Sequence, residues 1–228
     1  MSLRDNLVRG TGPRVLIRAW HQQETLAKGA ARAQRLIGGR ASIEFFFAFD
    51  SPYSAVSLAP LLEIAGRHRG ELQAFAVGRH GIQGDPDARM RKAYEILDAG
   101  RLLRRQGKSL TRTKPLPTSE VRELTLLAEA ARRAGKGNAF AAAALDKLWC
   151  EDADKAPQLA DYEALYSEVV GKSPGNAPGK LASAIVDNEK RLERKGHWEV
   201  PTALVGGQWF FAHERIEQID AWLGELGW

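Results

Sequence analysis

Cysteine is nearly missing from this chain: Cys150 stands alone among 228 residues. One thiol cannot close an intrachain disulfide or build a thiolate metal cluster. It also cannot run dithiol–disulfide exchange, which needs two sulfurs in reach of each other. Histidine is scarce too. The five, His21, His68, His80, His197 and His213, include no pair at the helical spacing of an H-E-x-x-H site, so no protein-ligated catalytic metal is expected. No apolar run approaches the length that spans a bilayer, and Met1-Ser2-Leu3-Arg4-Asp5 lacks the apolar core and cleavage site of a secretory leader. These absences lead to the expectation of a cytoplasmic protein with no membrane partner. Gly81-Ile82-Gln83-Gly84 matches neither a dinucleotide nor a P-loop fingerprint, and Ser51 lacks the G-x-S-x-G setting of a hydrolase nucleophile.

What is present is ordinary for a globular protein. Apolar residues make up 44% and charged residues 27%, enough for a real core in one large domain or two lobes. The net charge of +5 is concentrated in residues 1–40, where eight basic residues meet only Asp5 and Glu24, on a nearly neutral remainder. Such an arm can attract an anionic partner. No aromatic or Arg-rich recognition pattern accompanies it, so a solvated helix face is the preferred reading and no nucleic-acid partner is expected.

The punctuation of the chain divides it further. A helical stretch from about Arg14 to Leu36 follows the Gly12-Pro13 break and ends at Gly38-Gly39. Ser42 to Phe49 is a short aromatic run with the character of a buried strand. The spacing of Val56, Leu58, Leu61, Leu62, Ile64 and Ala65 predicts a helix to about Arg69, and Leu72 to Val77 a second strand, parallel to the first because a helix separates them. Segments 86–106, 118–134, 138–150 and 157–170 form an all-helical block broken by Pro and Gly. After a helix near 179–195, strand-like Thr202–Val205 and Gln208–Phe211 flank Gly206-Gly207, a strong hairpin signal, and a last helix is expected over about 213–226.

Ser51-Pro52-Tyr53-Ser54 falls where the first strand ends and a helix begins. A helix N-terminus offers unpaired N–H groups and the positive end of a dipole, which favour a thiolate or another anion. A serine there either caps the helix or donates its hydroxyl to a sulfur anion brought by a ligand. Val200-Pro201-Thr202 brings a proline into a strand just before a hairpin, and Phe210-Phe211-Ala212-His213-Glu214-Arg215 leads into another helix start. Cys150, beside Trp149 in a helix, reads as a small core residue rather than a nucleophile. Trp198 and Trp209 read as packing aromatics, with a ligand-stacking role left open for Trp198.

Taken together, these motifs carry a resemblance. Phe47-Ala48-Phe49-Asp50-Ser51-Pro52-Tyr53-Ser54 resembles the F-x-F-x-S-P-Y-S start of 2-hydroxychromene-2-carboxylate isomerases and kappa-class glutathione transferases, of the DsbA-like branch of the thioredoxin superfamily. Tyr94, Asp98, Arg101 and Gly107, then Trp149-Cys150-Glu151-Asp152, Val200-Pro201-Thr202 and the closing Phe210 to Arg215, are similar to later family segments, so the resemblance covers about residues 41–228. It implies an α/β protein with a thioredoxin-like fold, made of residues 41–85 and 179–228, carrying an inserted all-helical domain at 86–178, with residues 1–40 as an added arm. It further implies a cis-proline at Pro201 and a cleft between the lobes holding the active site.

The resemblance implies glutathione as cofactor, its sulfur beside the catalytic Ser51. Val200 and Pro201 hold its cysteinyl backbone, the helix start at His213, Glu214 and Arg215 takes its γ-glutamyl carboxylate, and Lys92 (or Arg91) supplies a basic contact. The implied activity is a glutathione-dependent isomerisation or transfer on small aromatic or other electrophilic substrates, in a homodimer. Glu214, His213, Ser119 and the loop Gly84-Asp85-Pro86-Asp87 depart from the family pattern, and an aspartate in that loop is expected to repel a carboxylate. The rival reading is a non-catalytic ligand- or partner-binding protein that kept the scaffold.

Overall fold

A computed structural model describes residues 12–175 and 178–228, with side chains from residue 24 onward; the first eleven residues of the basic arm lie outside the described residues. The elements follow in the order α1 (Gly12–Leu36), β1 (Ser42–Phe47), α2 (Pro52–Arg67), β2 (Glu71–Ala76), α3 (Ala88–Arg105), α4 (Arg122–Arg133), α5 (Gly137–Asp146), α6 (Leu159–Val170), α7 (Pro178–Arg194), β3 (Thr202–Val205), β4 (Gln208–Phe211) and α8 (Ile216–Glu225). A π-helical turn, Lys147–Glu151, prolongs α5.

The four strands form one sheet in the order β2-β1-β3-β4. β1 pairs parallel with β2, from Ser42↔Glu71 to Phe47↔Ala76, as the intervening helix requires. β3 runs antiparallel to β1, with Thr202 opposite Phe46. The hairpin to β4 turns on Gly206 and Gly207 at φ +56° and +82°, a pair of positive values that only glycine adopts freely and that matches strand twist. The C-terminal end of β1 and the N-terminal entry to β3 therefore lie at the same end of the sheet.

β1 is buried on both faces because its side chains alternate between two cores. Ile43, Phe45 and Phe47 join one cluster with Leu58 and Leu61 of α2, Leu124 of α4, Phe140 of α5, Trp149 and Tyr162. Phe46 turns the other way, onto Phe75, Val77, Leu192 and Val200. The helical block thus shares a single core with the sheet. The arm is not a free solvated helix throughout. Ala31 is buried, Lys28 pairs with Glu225 at 3.0 Å, and Arg35 donates to the Gly227 carbonyl and lies over the Trp228 ring.

β2 is an edge strand, and an open edge is a liability. Two asparagines close it. Asn138 at the start of α5 accepts from Ala74 N (3.2 Å) and donates to Leu72 O (2.7 Å), and Asn188 of α7 donates to Ala76 O at 3.0 Å. Replacing Asn138 by Ala strands two backbone groups and is expected to lower unfolding free energy by ~1–3 kcal/mol, read as a lower denaturation midpoint at unchanged slope.

Candidate functional site

Beyond Phe47 the chain makes a tight turn, Ser51 N donating to Ala48 O, and α2 starts at Pro52. This turn sinks the Asp50 carboxyl to 1% exposure. Three elements distant in sequence supply its partners. His80, on the loop after β2, meets Asp50 Oδ1 with Nε2 at 3.0 Å. Lys92 of α3 reaches Oδ2 at 3.3 Å, and Thr118, ahead of α4, donates to Oδ2 at 2.7 Å. The other ring nitrogen of His80 meets Glu199 Oε1 at 3.0 Å, and that oxygen accepts the Val200 N–H at 3.0 Å. One imidazole therefore ties the residue before Ser51 to the residue before Val200.

Burial alone lowers the proton affinity of His80, but hydrogen bonds and the charges of Asp50 and Glu199 outweigh it and lift the pKa from the usual 6.5 to about 10. The ring is an imidazolium at neutral pH. Burial pushes Asp50 up, yet His80, Thr118 and Lys92 prevail and hold it at about 2. Glu199 lies below its ordinary range because its His80 hydrogen bond overcomes burial. Glu95 of α3 is the exception: burial and the Glu199 charge raise its carboxyl against the pull of His80 and Lys92.

Two cavities meet at this network. A polar one of ≈ 300 Å³ is lined by His80, Ile82, Asp85, Arg91, Lys92, Glu95 and Glu199, among others. An apolar one of ≈ 350 Å³ lies between the end of β2, α4 and α7. They share Asp50, Gly78, Arg79 and Thr118, so Asp50 forms part of the wall of both.

The sequence matches no family model and no curated protein. Among solved structures the chain is similar to a 2-hydroxychromene-2-carboxylate isomerase, at 19% identity and a TM-score of 0.58 over 82% of this chain and 96% of that one. It is also similar to a probable DsbA oxidoreductase from Streptomyces coelicolor, at 13% and 0.65 over 82% and 90%, and to the cytosolic disulfide reductase DsbM from Pseudomonas aeruginosa, at 18% and 0.52 over 82% and 97%. The chain has the DsbA-like thioredoxin fold. At such identities the likeness is one of fold.

On this DsbA-like frame Ser51 takes the N-cap position of α2 with extended backbone angles, and its hydroxyl makes no capping hydrogen bond. The residue is buried and lines neither of the two cavities; its neighbour Asp50 does. The Val200–Pro201 bond is cis. Val200 is buried and its N–H is engaged by Glu199, while the Pro201 carbonyl accepts from Ala212. Lys92 lines the polar cavity but is paired with Asp50.

The expected helix start at 213–215 requires correction. α8 begins at Ile216, and residues 212–214 form a turn. The Glu214 and Arg215 N–H groups both donate to Phe211 O, at 3.2 and 3.0 Å, so they are not free for a carboxylate. His213 instead stacks on Tyr53, ring centroids 3.8 Å apart, with burial lowering its pKa. Asp85 pairs with Arg91, which offsets the repulsion expected of an aspartate in that loop. Ser119 faces the apolar cavity.

Cys150 sits half-buried against Val56 and Leu103, its pKa raised by burial, as suits a packing residue. Trp209 packs on Phe46, whereas Trp198 is exposed and stacks on His197. The residues that sequence reasoning passed over are His80, Thr118, Glu95 and Glu199. Asp50 and Glu199 were visible only as neighbours of Ser51 and Val200; nothing local marks His80. No helix of the described residues is long and apolar enough to cross a membrane, and among the described residues no three His, Cys, Asp or Glu side chains gather as a metal site.

Because the folded pKa of His80 is raised, its contribution to stability is complete below about pH 6.5 and is lost as pH climbs through about 10. Asp50, whose folded value is depressed, contributes fully above 3.8 and loses that contribution as pH falls through about 2. His80→Gln leaves the buried Asp50 with Lys92 as its remaining cation and takes the imidazolium from the part-buried Glu199. Denaturant titrations across pH should show it less stable by ~3–5 kcal/mol near neutrality, with the alkaline decline above pH 6.5 largely abolished.

Proposed function

We propose that this chain is a thiol-dependent isomerase or transferase that binds glutathione or a closely similar thiol peptide and acts on small conjugated electrophiles. The observation that carries the reading is Ser51: a serine at the mouth of α2, its hydroxyl unused by the helix, one residue from a carboxylate tied through His80 to the cis-proline loop. The 2-hydroxychromene-2-carboxylate isomerase among the structural neighbours is consistent with it.

The donor set fits such a ligand. Lys92 and Arg91 on the wall of the polar cavity, paired with Asp50 and Asp85, take a peptide carboxylate by sharing or exchanging those pairs, and the helix dipole with the Ser51 hydroxyl suits a sulfur anion. When bound, the thiol supplies the nucleophile that adds to and leaves a conjugated carbon. The protein's own tasks are to place the electrophile and to hold the sulfur anionic at Ser51, whose buried hydroxyl, on neither cavity wall, is reached only when the Asp50 turn moves aside. Glu95, whose carboxyl retains its proton to higher pH than usual, is suited to pass a proton within the polar cavity. For the Val200 N–H to hold a peptide carbonyl, the Glu199 carboxylate has to leave it.

That internal hydrogen bond also favours a second reading, a binding protein in which Glu199 permanently fills the peptide edge. Ser51→Ala separates the two. The enzyme reading expects calorimetric binding of glutathione, a bound-thiolate absorbance that the substitution abolishes, and a loss of turnover of ~10²–10³-fold with the fold retained. No glutathione binding at millimolar ligand overturns it.

A further inference from the structure

The apolar cavity is separate in character from the polar one, and no step proposed so far uses it. Its walls are Val77 at the end of β2, Val121 and Leu126 of the α4 region, and Ala182, Ile185 and Val186 of α7. No aromatic residue lines it, and its inner walls are aliphatic. Several of its polar groups are already engaged. The Thr125 hydroxyl donates to Val121 O. Glu189 accepts from the Gly78 and Arg79 N–H groups at 3.1 and 3.0 Å and from Arg79 Nε at 3.1 Å. Asp50 is saturated as described. The chamber is thus a mainly aliphatic slot with the exposed Ser119 hydroxyl on its wall, and its ≈ 350 Å³ lies within the range of small-molecule pockets.

Its lining also includes two guanidinium groups that extend into solvent. The Arg79 side chain is 68% exposed although paired with Glu189, and Arg122 is 72% exposed with only a long contact to Glu123 at 3.6 Å. Guanidinium groups are the usual partners of carboxylates. Arg79 lines both cavities, so a carboxylate held there lies at their junction with its chain free to enter the aliphatic slot.

We infer that the apolar chamber binds a medium-chain aliphatic carboxylate, tail among Val121, Leu126, Ile185 and Val186 and head at Arg79 and Arg122. In combination with the thiol-dependent reading, on which this second half rests, the substrate is the α,β-unsaturated form of such an acid. Its double bond, next to the carboxylate, lies at the junction beside Asp50 rather than in the slot. The substrate class is then aliphatic rather than aromatic.

Titration calorimetry with hexanoate, octanoate and decanoate tests the chamber directly. Affinity should rise about threefold per added methylene, as for burial of hydrocarbon, and cinnamate should bind more weakly than decanoate. Ala182→Phe, which fills the slot, should weaken decanoate by about tenfold or more while glutathione binding is unchanged. Val186→Asp, at a part-exposed site that tolerates a charge, should do the same by setting a charge against the hydrocarbon tail. Decanoate affinity that is undetectable, independent of chain length or indifferent to both variants overturns the inference. Glutathione binding without decanoate binding overturns this inference alone; decanoate binding without glutathione binding overturns the thiol-dependent reading and leaves the chamber's ligand standing.

Discussion

The organisation of this molecule depends on a histidine ring held between two carboxylates. Asp50 and Glu199 belong to segments that leave the sheet side by side, one after β1 and one before β3, and two negative charges there, one buried and one part-buried, would repel each other and lose hydration. The imidazolium of His80 removes both problems with one hydrogen bond to each. Thr118 and Lys92 complete the set on Asp50, which draws the loop before α4 and the face of α3 toward the same point. The cleft is therefore built around a satisfied charge cluster, and the burial that makes the cluster costly to break also defines its shape.

That construction explains why the two cavities differ. On the side of α3 the walls are ionic: Arg91, Lys92, Glu95, Asp85 and Glu199. On the side of α7 the charges are turned inward, Glu189 spending its carboxylate on the backbone after β2, and aliphatic side chains are left facing the space. Asp50 and Thr118 form the shared wall. A ligand with a polar peptide part and a hydrocarbon part meets complementary surroundings on the two sides, and the serine at the mouth of α2 stands next to the divide.

A single cysteine places this chain apart from the redox chemistry associated with its fold. Cys150 packs in the π-helical turn after α5, beside Trp149, whose indole donates to the Phe49 carbonyl at 3.0 Å. The sulfur packs against Val56 of α2 and Leu103 of α3, and burial disfavours its thiolate. On the proposed reading, the chemistry at the α2 terminus comes from a hydroxyl, a dipole and the thiol of the ligand.

The sequence by itself determined the local elements. Aromatic density set β1, the Gly206-Gly207 pair set the hairpin, Pro52 set the start of α2, and apolar spacing set the helices between residues 88 and 194. Each depends on residues a few positions apart, where propensity and periodicity act. It also put Ser51 and Pro201 at the right ends of the right strands. The start of α8 escaped it, because the Phe211 carbonyl captures the next N–H groups and delays the helix to Ile216. Only the tertiary structure decided that His80 pairs with Asp50, thirty positions away, and with Glu199, 119 away, that Glu199 engages the Val200 N–H, and that one half of the cleft is aliphatic. Those outcomes follow from which segments the sheet order brings together and from the cost of burying a charge alone, and neither is written in any short stretch of the chain.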